Sequence, residues 1–139
     1  MSFTVMGVPV ILILDDFDQA RFVIRAVLES ASYSVLEAAN ETEALAACEQ
    51  TEQPVDLLIS DVLLREAYGT EIAIRIAALR PQMPILFISG YSVEDLEDRG
   101  LLESNQSAAK IAFLQKPFDP DQLLTKVREL IRTTRHAAA

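Results

Sequence analysis

The sequence predicts an α/β fold built on a doubly wound, five-stranded parallel sheet. Strand-like and helix-like segments alternate strictly along the chain, and right-handed crossovers then put helices on both faces of a parallel sheet. The strand-like segments are unbroken apolar runs, as strands buried on both faces require. Polar, chemically capable residues follow several of these runs, at the sheet edge where α/β folds place their sites.

Each element has a local reason. Val10 to Leu14 is continuously apolar. A helix is predicted over 19–30, where Phe22, Val23, Ala26, Val27 and Ser30 fall at helical spacing and Asp18 is placed to cap it. A weaker strand follows over 34–38. Asn40-Glu41-Thr42-Glu43 reads as a capping box opening a second helix to about Gln50. Pro54 precedes a third strand over 55–60, and a loop over 62–69 leads to a helix over 70–80, closed by Pro81. A fourth strand spans 84–89, and Ser92-Val93-Glu94-Asp95 is placed to cap a fourth helix. Residues 103–110 are polar and read as a loop. A fifth strand spans 111–115. Asp119-Pro120 then starts the last helix, because Asp caps and Pro loses no needed donor in a first turn. That helix is expected to end near Arg132, before an Ala-rich tail. One domain over 8–134 is expected, with 1–7 and 135–139 as flexible termini.

Composition narrows the function. Acidic residues number 21 and basic ones 12, for a net charge of −9, which disfavours nucleic acid because phosphate contacts need clustered Lys and Arg. Cys48 is the only cysteine, so no internal disulfide forms, as suits a reducing compartment. The apolar run near the start is far too short to span a bilayer, and no basic signal segment opens the chain. These features predict a soluble, cytoplasmic protein with neither a membrane nor a nucleic-acid partner.

Four positions carry the chemistry. Asp15-Asp16 follow the first strand, Asp61 the third, Ser89 ends the fourth, and Lys116 follows the fifth. Each alone has an ordinary explanation: helix capping for the acidic pair, turn formation for Asp61 and Ser89, and a solvated lysine before a bend. Together at successive strand ends, they would converge. Three carboxylates repel, and an oxygen-bound divalent cation relieves the repulsion. Carboxylate, hydroxyl, ammonium and Mg²⁺ in one pocket suit phosphoryl chemistry, which is mostly positioning and charge neutralisation.

The motifs ILILDDF, LLISDVLLREAYGTEI, PILFISGYS and FLQKPFDPDQLLTKV resemble the receiver domain of two-component response regulators, over roughly residues 10–132. The pairing of SGYS with FLQKPF is similar to receivers attached to hybrid sensor histidine kinases. The resemblance implies a flavodoxin-like (βα)5 fold with strand order 2-1-3-4-5. It implies that Asp61 is a phosphoacceptor taking a phosphoryl group from a sensor histidine kinase or histidine phosphotransfer protein. Asp16, Asp61 and the backbone carbonyl of Leu63 would ligate Mg²⁺, and Asp15 would help through water. Ser89 and Lys116 would bind phosphoryl oxygens. Phe113 falls at the family's switch aromatic, although plain core packing explains it equally when the residues are read alone. Signalling would run through the face formed by the fourth helix, fifth strand and fifth helix, which also offers a homodimer surface. The resemblance implies no enzyme activity beyond self-directed phosphoryl transfer.

The sequence departs from the family pattern at Arg65, where Pro is common, and in the length between the fourth helix and fifth strand. Leu63 and Tyr91 flank the expected water path. Both are bulky, and the Leu63 side chain cannot hold water, which predicts slow self-dephosphorylation. Two other readings compete. A haloacid-dehalogenase-like phosphatase would use Asp16-Phe17-Asp18 but leave Asp61 unexplained and meet Ala20 where Thr or Val is expected. A receiver-like scaffold that is never phosphorylated is the other. His136, the only histidine, is expected to be inert, and Lys126, Arg128, Arg132 and Arg135 to form a solvated basic face.

Overall fold

The structure, a computed structural model, describes residues 7–50, 54–64, 67–100 and 110–138. In chain order the elements are β1 (Val10–Leu14), α1 (Asp18–Ser30), β2 (Ser34–Ala38), α2 (Glu41–Gln50), β3 (Leu57–Asp61), α3 (Gly69–Leu79), β4 (Ile85–Ser89), α4 (Val93–Asp98), β5 (Ile111–Gln115) and α5 (Pro120–Ala138). The five strands form one sheet in the order β2-β1-β3-β4-β5, and every pairing is parallel.

Helices cover both faces, so the sheet divides the interior into two cores. On one face Leu12, Leu14, Leu58, Ile85 and Phe87 meet Ala44 and Cys48 of α2, Ile72, Ala73 and Ile76 of α3, and Leu96 of α4. On the other, Ile11, Ile13, Ile59 and Ile88 meet Ile24 and Leu28 of α1 and Leu123, Val127, Leu130 and Ile131 of α5. Alternate residues of β1 and β3 thus enter opposite cores, which explains their unbroken apolar runs.

Three predicted caps form. Asn40 Oδ1 accepts from the Glu43 N–H at 2.9 Å while Glu43 accepts from the Ala39 N–H at 2.8 Å. Ser92 Oγ accepts from the Asp95 N–H. Asp119 and Gln122 exchange reciprocal side-chain-to-backbone bonds at 2.8 and 2.9 Å, which closes a capping box ahead of α5.

Four local expectations need correction. Asp18 does not cap α1: Phe17 occupies the cap position without a side-chain cap bond, and Asp15 Oδ1 instead accepts the Phe17 N–H at 2.9 Å. The stripe read through Phe22 and Val23 is not the buried one. Those side chains are 71% and 59% exposed, whereas Ile24 and Leu28 are buried. The helix is apolar on two sides, and Arg21 and Arg25 rotate it by reaching Glu37 of β2. The third strand begins at Leu57 and includes Asp61, because its backbone pairing with Ile88 extends that far. Finally, α5 continues through Ala138. No Gly or Pro stops it after Arg132, and alanine is the best helix former. The expectation for 1–6, most of the 103–110 loop, and the side chains of Arg135 and His136 lie outside the described residues. No helix among the described residues is long and apolar enough to cross a membrane.

The end of α1 carries one strained residue. Tyr33 N–H donates to Leu28 C=O and Ser32 N–H to Glu29 C=O, the paired bonds of a Schellman turn. Its left-handed position is held by Ser32 at φ 71°, a conformation that costs an L side chain about 1–2 kcal/mol. Glycine removes that cost but adds unfolded-chain entropy. Ser32→Gly is therefore expected to stabilise the fold by about 0.5–1 kcal/mol, read as a higher urea midpoint at unchanged slope; a lower midpoint would contradict the strain.

Candidate functional site

The carboxyl ends of β1, β3, β4 and β5 gather Asp15, Asp61, Ser89 and Lys116 at one edge of the sheet. Asp61 closes β3 in register with Ile88, and Ser89 closes β4 in register with Gln115. Lys116 N–H donates to Ser89 C=O at 2.7 Å, so the β4–β5 ladder extends one bond past the strands and fixes where the lysine departs. The Lys116–Pro117 peptide bond is cis. Lys116 Nζ lies 3.3 Å from Asp61 Oδ2, bridging elements 55 residues apart in the chain.

The two carboxylate oxygens of Asp61 have different partners. Oδ2 faces Lys116, and Oδ1 accepts the Leu63 N–H at 3.0 Å. Leu63 lies in a small antiparallel bridge with Tyr68. The flanking bonds are Gly69 N–H to Val62 C=O at 2.6 Å and Leu64 N–H to Ala67 C=O at 3.2 Å. Neither bond uses the Leu63 carbonyl. The β3–α3 loop is therefore a tight hairpin that returns the chain directly onto Asp61. Arg65 lies outside the described residues.

That return requires Gly69, a residue missed by the sequence reading. A Cβ there would stand 1.7 Å from the Asp61 carbonyl oxygen and 2.8 Å from Ser60 Oγ. The available signal was a glycine eight positions after Asp61, at the start of the third helix, where a side chain would ordinarily do no harm. Only the fold reveals the close approach.

Asp15 is buried at 3% exposure. Burial pushes its carboxyl up from the ordinary range and the Asp61 charge pushes it the same way, while the Phe17 N–H and the Lys116 ammonium oppose the shift. Asp16 is half-buried. Ser89 is buried, and its Oγ accepts the Tyr91 N–H at 2.9 Å. The Tyr91 ring in turn lies under the Arg99 guanidinium at 4.4 Å. Phe113 stacks on Phe87 with ring centroids 5.6 Å apart. Phe113 and Ser89 lie on one face of the sheet, since each is two positions from a member of a registered pair: Phe113 from Gln115, and Ser89 from Phe87.

The donor set can be tested against a cation. Among the described residues, no three Asp, Glu, His or Cys side chains are close enough to hold a metal by themselves. The carboxylates at this edge are therefore looser than the three-anion cluster expected from the sequence. Mg²⁺ needs no such cage, because it keeps several waters and binds through one or two carboxylates. An acidic loop, Asp61 and a carbonyl not spent on its own hairpin meet that requirement.

The arrangement has known counterparts. A model of the response regulator receiver domain matches residues 11–128. The chain belongs to the response regulator receiver family. This receiver is 35% identical over 125 residues to the sensor kinase CckA of Brucella abortus, covering 90% of this chain but 13% of that protein. It superposes on a CheY-like receiver from Methanospirillum hungatei with a TM-score of 0.78 and 30% identity, covering 94% of this chain and 99% of the other. The receiver domain of a hybrid histidine kinase CckA aligns with a TM-score of 0.70 and 31% identity, covering 88% and 98%. Receivers of this family are signalling modules of two-component systems, generally bind Mg²⁺, and work with sensor histidine kinases or phosphotransfer proteins.

Gly69→Ala is expected to destabilise the receiver by about 3 kcal/mol or more, because the new methyl must displace the Asp61 backbone. Chemical denaturation measures this; a loss below about 1 kcal/mol would mean that the hairpin yields easily.

Proposed function

We propose that Asp61 is the phosphoacceptor of a two-component relay and takes its phosphoryl group from a phosphohistidine on a sensor kinase or phosphotransfer protein. The observation carrying this reading is the Lys116 ammonium 3.3 Å from Asp61 Oδ2, at a sheet edge that also holds the buried Asp15. An Asp61 oxygen attacks phosphorus, an O–P bond forms, the N–P bond breaks, and its electron pair stays on the imidazole nitrogen. The incoming group carries a charge of roughly −1.5 to −2. Beside existing carboxylates this is strongly repelled, since two unit charges at 4 Å interact by about 4 kcal/mol at an effective dielectric near 20. Lys116 offsets part of that repulsion. Mg²⁺, when bound by Asp16, Asp61 and the Leu63 carbonyl with Asp15 acting through water, supplies further positive charge at the transferring oxygens. The Leu63 N–H holds Asp61 Oδ1 in place while the other oxygen reacts.

The new phosphoryl group draws the Ser89 hydroxyl from its bond with the Tyr91 N–H. Phe113 then turns from its stack on Phe87 toward the vacated space. Burying a phenylalanine is worth roughly 1.5–3 kcal/mol, enough to bias the face made by α4, β5 and α5 between two arrangements. We propose that this face carries the output, through protein contacts that include a possible homodimer, and that no nucleic acid or membrane takes part. A domain spanning 8–134 acts in this way in the cytoplasm, where the buried Cys48 thiol stays reduced.

Intact-mass measurement after incubation with acetyl phosphate tests the acceptor. One phosphoryl group is expected on the wild type, little without Mg²⁺, and none on Asp61→Asn. Unaltered labelling of Asp61→Asn would refute the assignment, and turnover of generic phosphomonoesters would favour the phosphatase reading. No response to Mg²⁺ plus beryllofluoride would favour the scaffold. The label should decay slowly, since Leu63 and Tyr91 flank the phosphoryl position, and Leu63→Asn should shorten its lifetime; a lifetime of seconds unaffected by Leu63 would contradict this.

Phosphohistidine partners are proposed to dock over Phe17 and Phe22, which are 61% and 71% exposed beside the acidic loop. Phe22→Ala should slow transfer from a phosphohistidine partner about five- to tenfold and leave labelling by acetyl phosphate unchanged. Equal loss with both donors would place Phe22 in the fold instead.

A further inference from the structure

We infer that Arg21 is a positioning residue for the metal site, acting through the Asp15 carbonyl to aim Asp16. Its side chain is 12% exposed, and its guanidinium joins three segments. Nη1 donates to the Asp15 carbonyl oxygen, Nη2 to Asp18 Oδ1, and Nε to Glu37 Oε1 at 2.9 Å. One planar fork thus ties the end of β1 to the first turn of α1 and to β2. Lysine has neither the planarity nor the number of donors in fixed directions to do this.

The peptide bond explains why this reaches Asp16. The Asp15 carbonyl and the Asp16 N–H belong to one rigid, planar unit. Holding the carbonyl fixes that plane and the position of the Asp16 Cα, which narrows the directions in which the Asp16 side chain can leave the backbone. The neighbouring bond from the Phe17 N–H to Asp15 Oδ1 braces the same turn from the other side. A loop whose two carboxylates repel each other and Asp61 would otherwise relax outward. Groups that orient metal ligands in this indirect way commonly change affinity 10–100-fold when removed.

Electrostatics alone predicts the opposite sign. Arg21 is a cation beside an acidic loop, so deleting its charge should favour a bound divalent cation. Positioning predicts weaker binding. Arg25 provides the control, because it shares Glu37 at 2.6 Å and bonds Glu29 at 3.1 Å, while its hydrogen bonds go to neither Asp15 nor Asp18.

This inference rests on the proposed metal-assisted acceptor site. Isothermal titration calorimetry of the chain with MgCl₂, without any phosphodonor, tests it. Arg21→Met is expected to bind Mg²⁺ about tenfold or more weakly than wild type, and Arg25→Met within about twofold of wild type or slightly tighter. Unchanged or tighter binding by Arg21→Met, or an equal loss in Arg25→Met, overturns the inference while leaving the acceptor reading intact. Should Arg21→Met fail to fold, Arg21→Lys serves in its place. It is expected to bind at least about threefold more weakly than wild type, and wild-type affinity there overturns the inference equally. Absence of Mg²⁺ binding by the wild type would remove the metal reading and this inference with it.

Discussion

Repulsion between carboxylates is the constraint around which the carboxyl edge of the sheet is organised. Asp15 is buried, and its carboxyl is pushed up by burial and by Asp61. A folded chain leaves such groups together only if something else holds them. Two devices do so here. Lys116 brings a positive charge to Asp61 from the far side, and backbone N–H groups of Phe17 and Leu63 satisfy one oxygen of each carboxylate. The same negative charge that makes this edge costly thus makes it receptive to positive charge.

The backbone around Asp61 meets this demand by tight geometry. The β3–α3 hairpin, the glycine at its return and the ladder bond from Lys116 to Ser89 each remove freedom from a different side of Asp61. Phosphoryl transfer depends mainly on positioning, so rigidity at Asp61 suits the chemistry proposed for it. Beyond it, the fourth and fifth strands carry groups with alternatives available to them. Among the described residues, Ser89 Oγ is engaged only with a backbone N–H two residues on, and Phe113 rests on Phe87. A rigid Asp61 next to softer neighbours is the arrangement that the proposed switch needs.

Much of this was legible in the sequence, for identifiable reasons. Continuous apolar runs placed β1, β3 and β4 to within two residues, because burial on both faces leaves an unmistakable pattern. The Asn40, Ser92 and Asp119 caps were readable because capping is a local interaction. The strand-end positions of Asp15, Asp61, Ser89 and Lys116 followed from parallel topology. What escaped depends on non-local contacts. The rotation of α1 is set by Glu37 on another strand, so a helix with two apolar sides misled the reading at Phe22 and Val23. Asp18, a good cap by type, was drawn instead to Arg21. Gly69 looked ordinary until the Asp61 backbone was found against it.

The site also divides unevenly across the sheet. Asp15 follows, and Asp61 and Ser89 end, strands with a neighbour on each side, whereas Lys116 follows β5, which pairs only with β4. Outermost strands open at lower free energy than central ones. Brief fraying of β5 would therefore withdraw the amine while the acids remained in place, and the pocket would lose its counter-charge long before the molecule lost its fold. Anything that clamps this margin, including a bound protein laid along it, would keep the lysine at its post and so adjust the chemistry without touching an acidic residue.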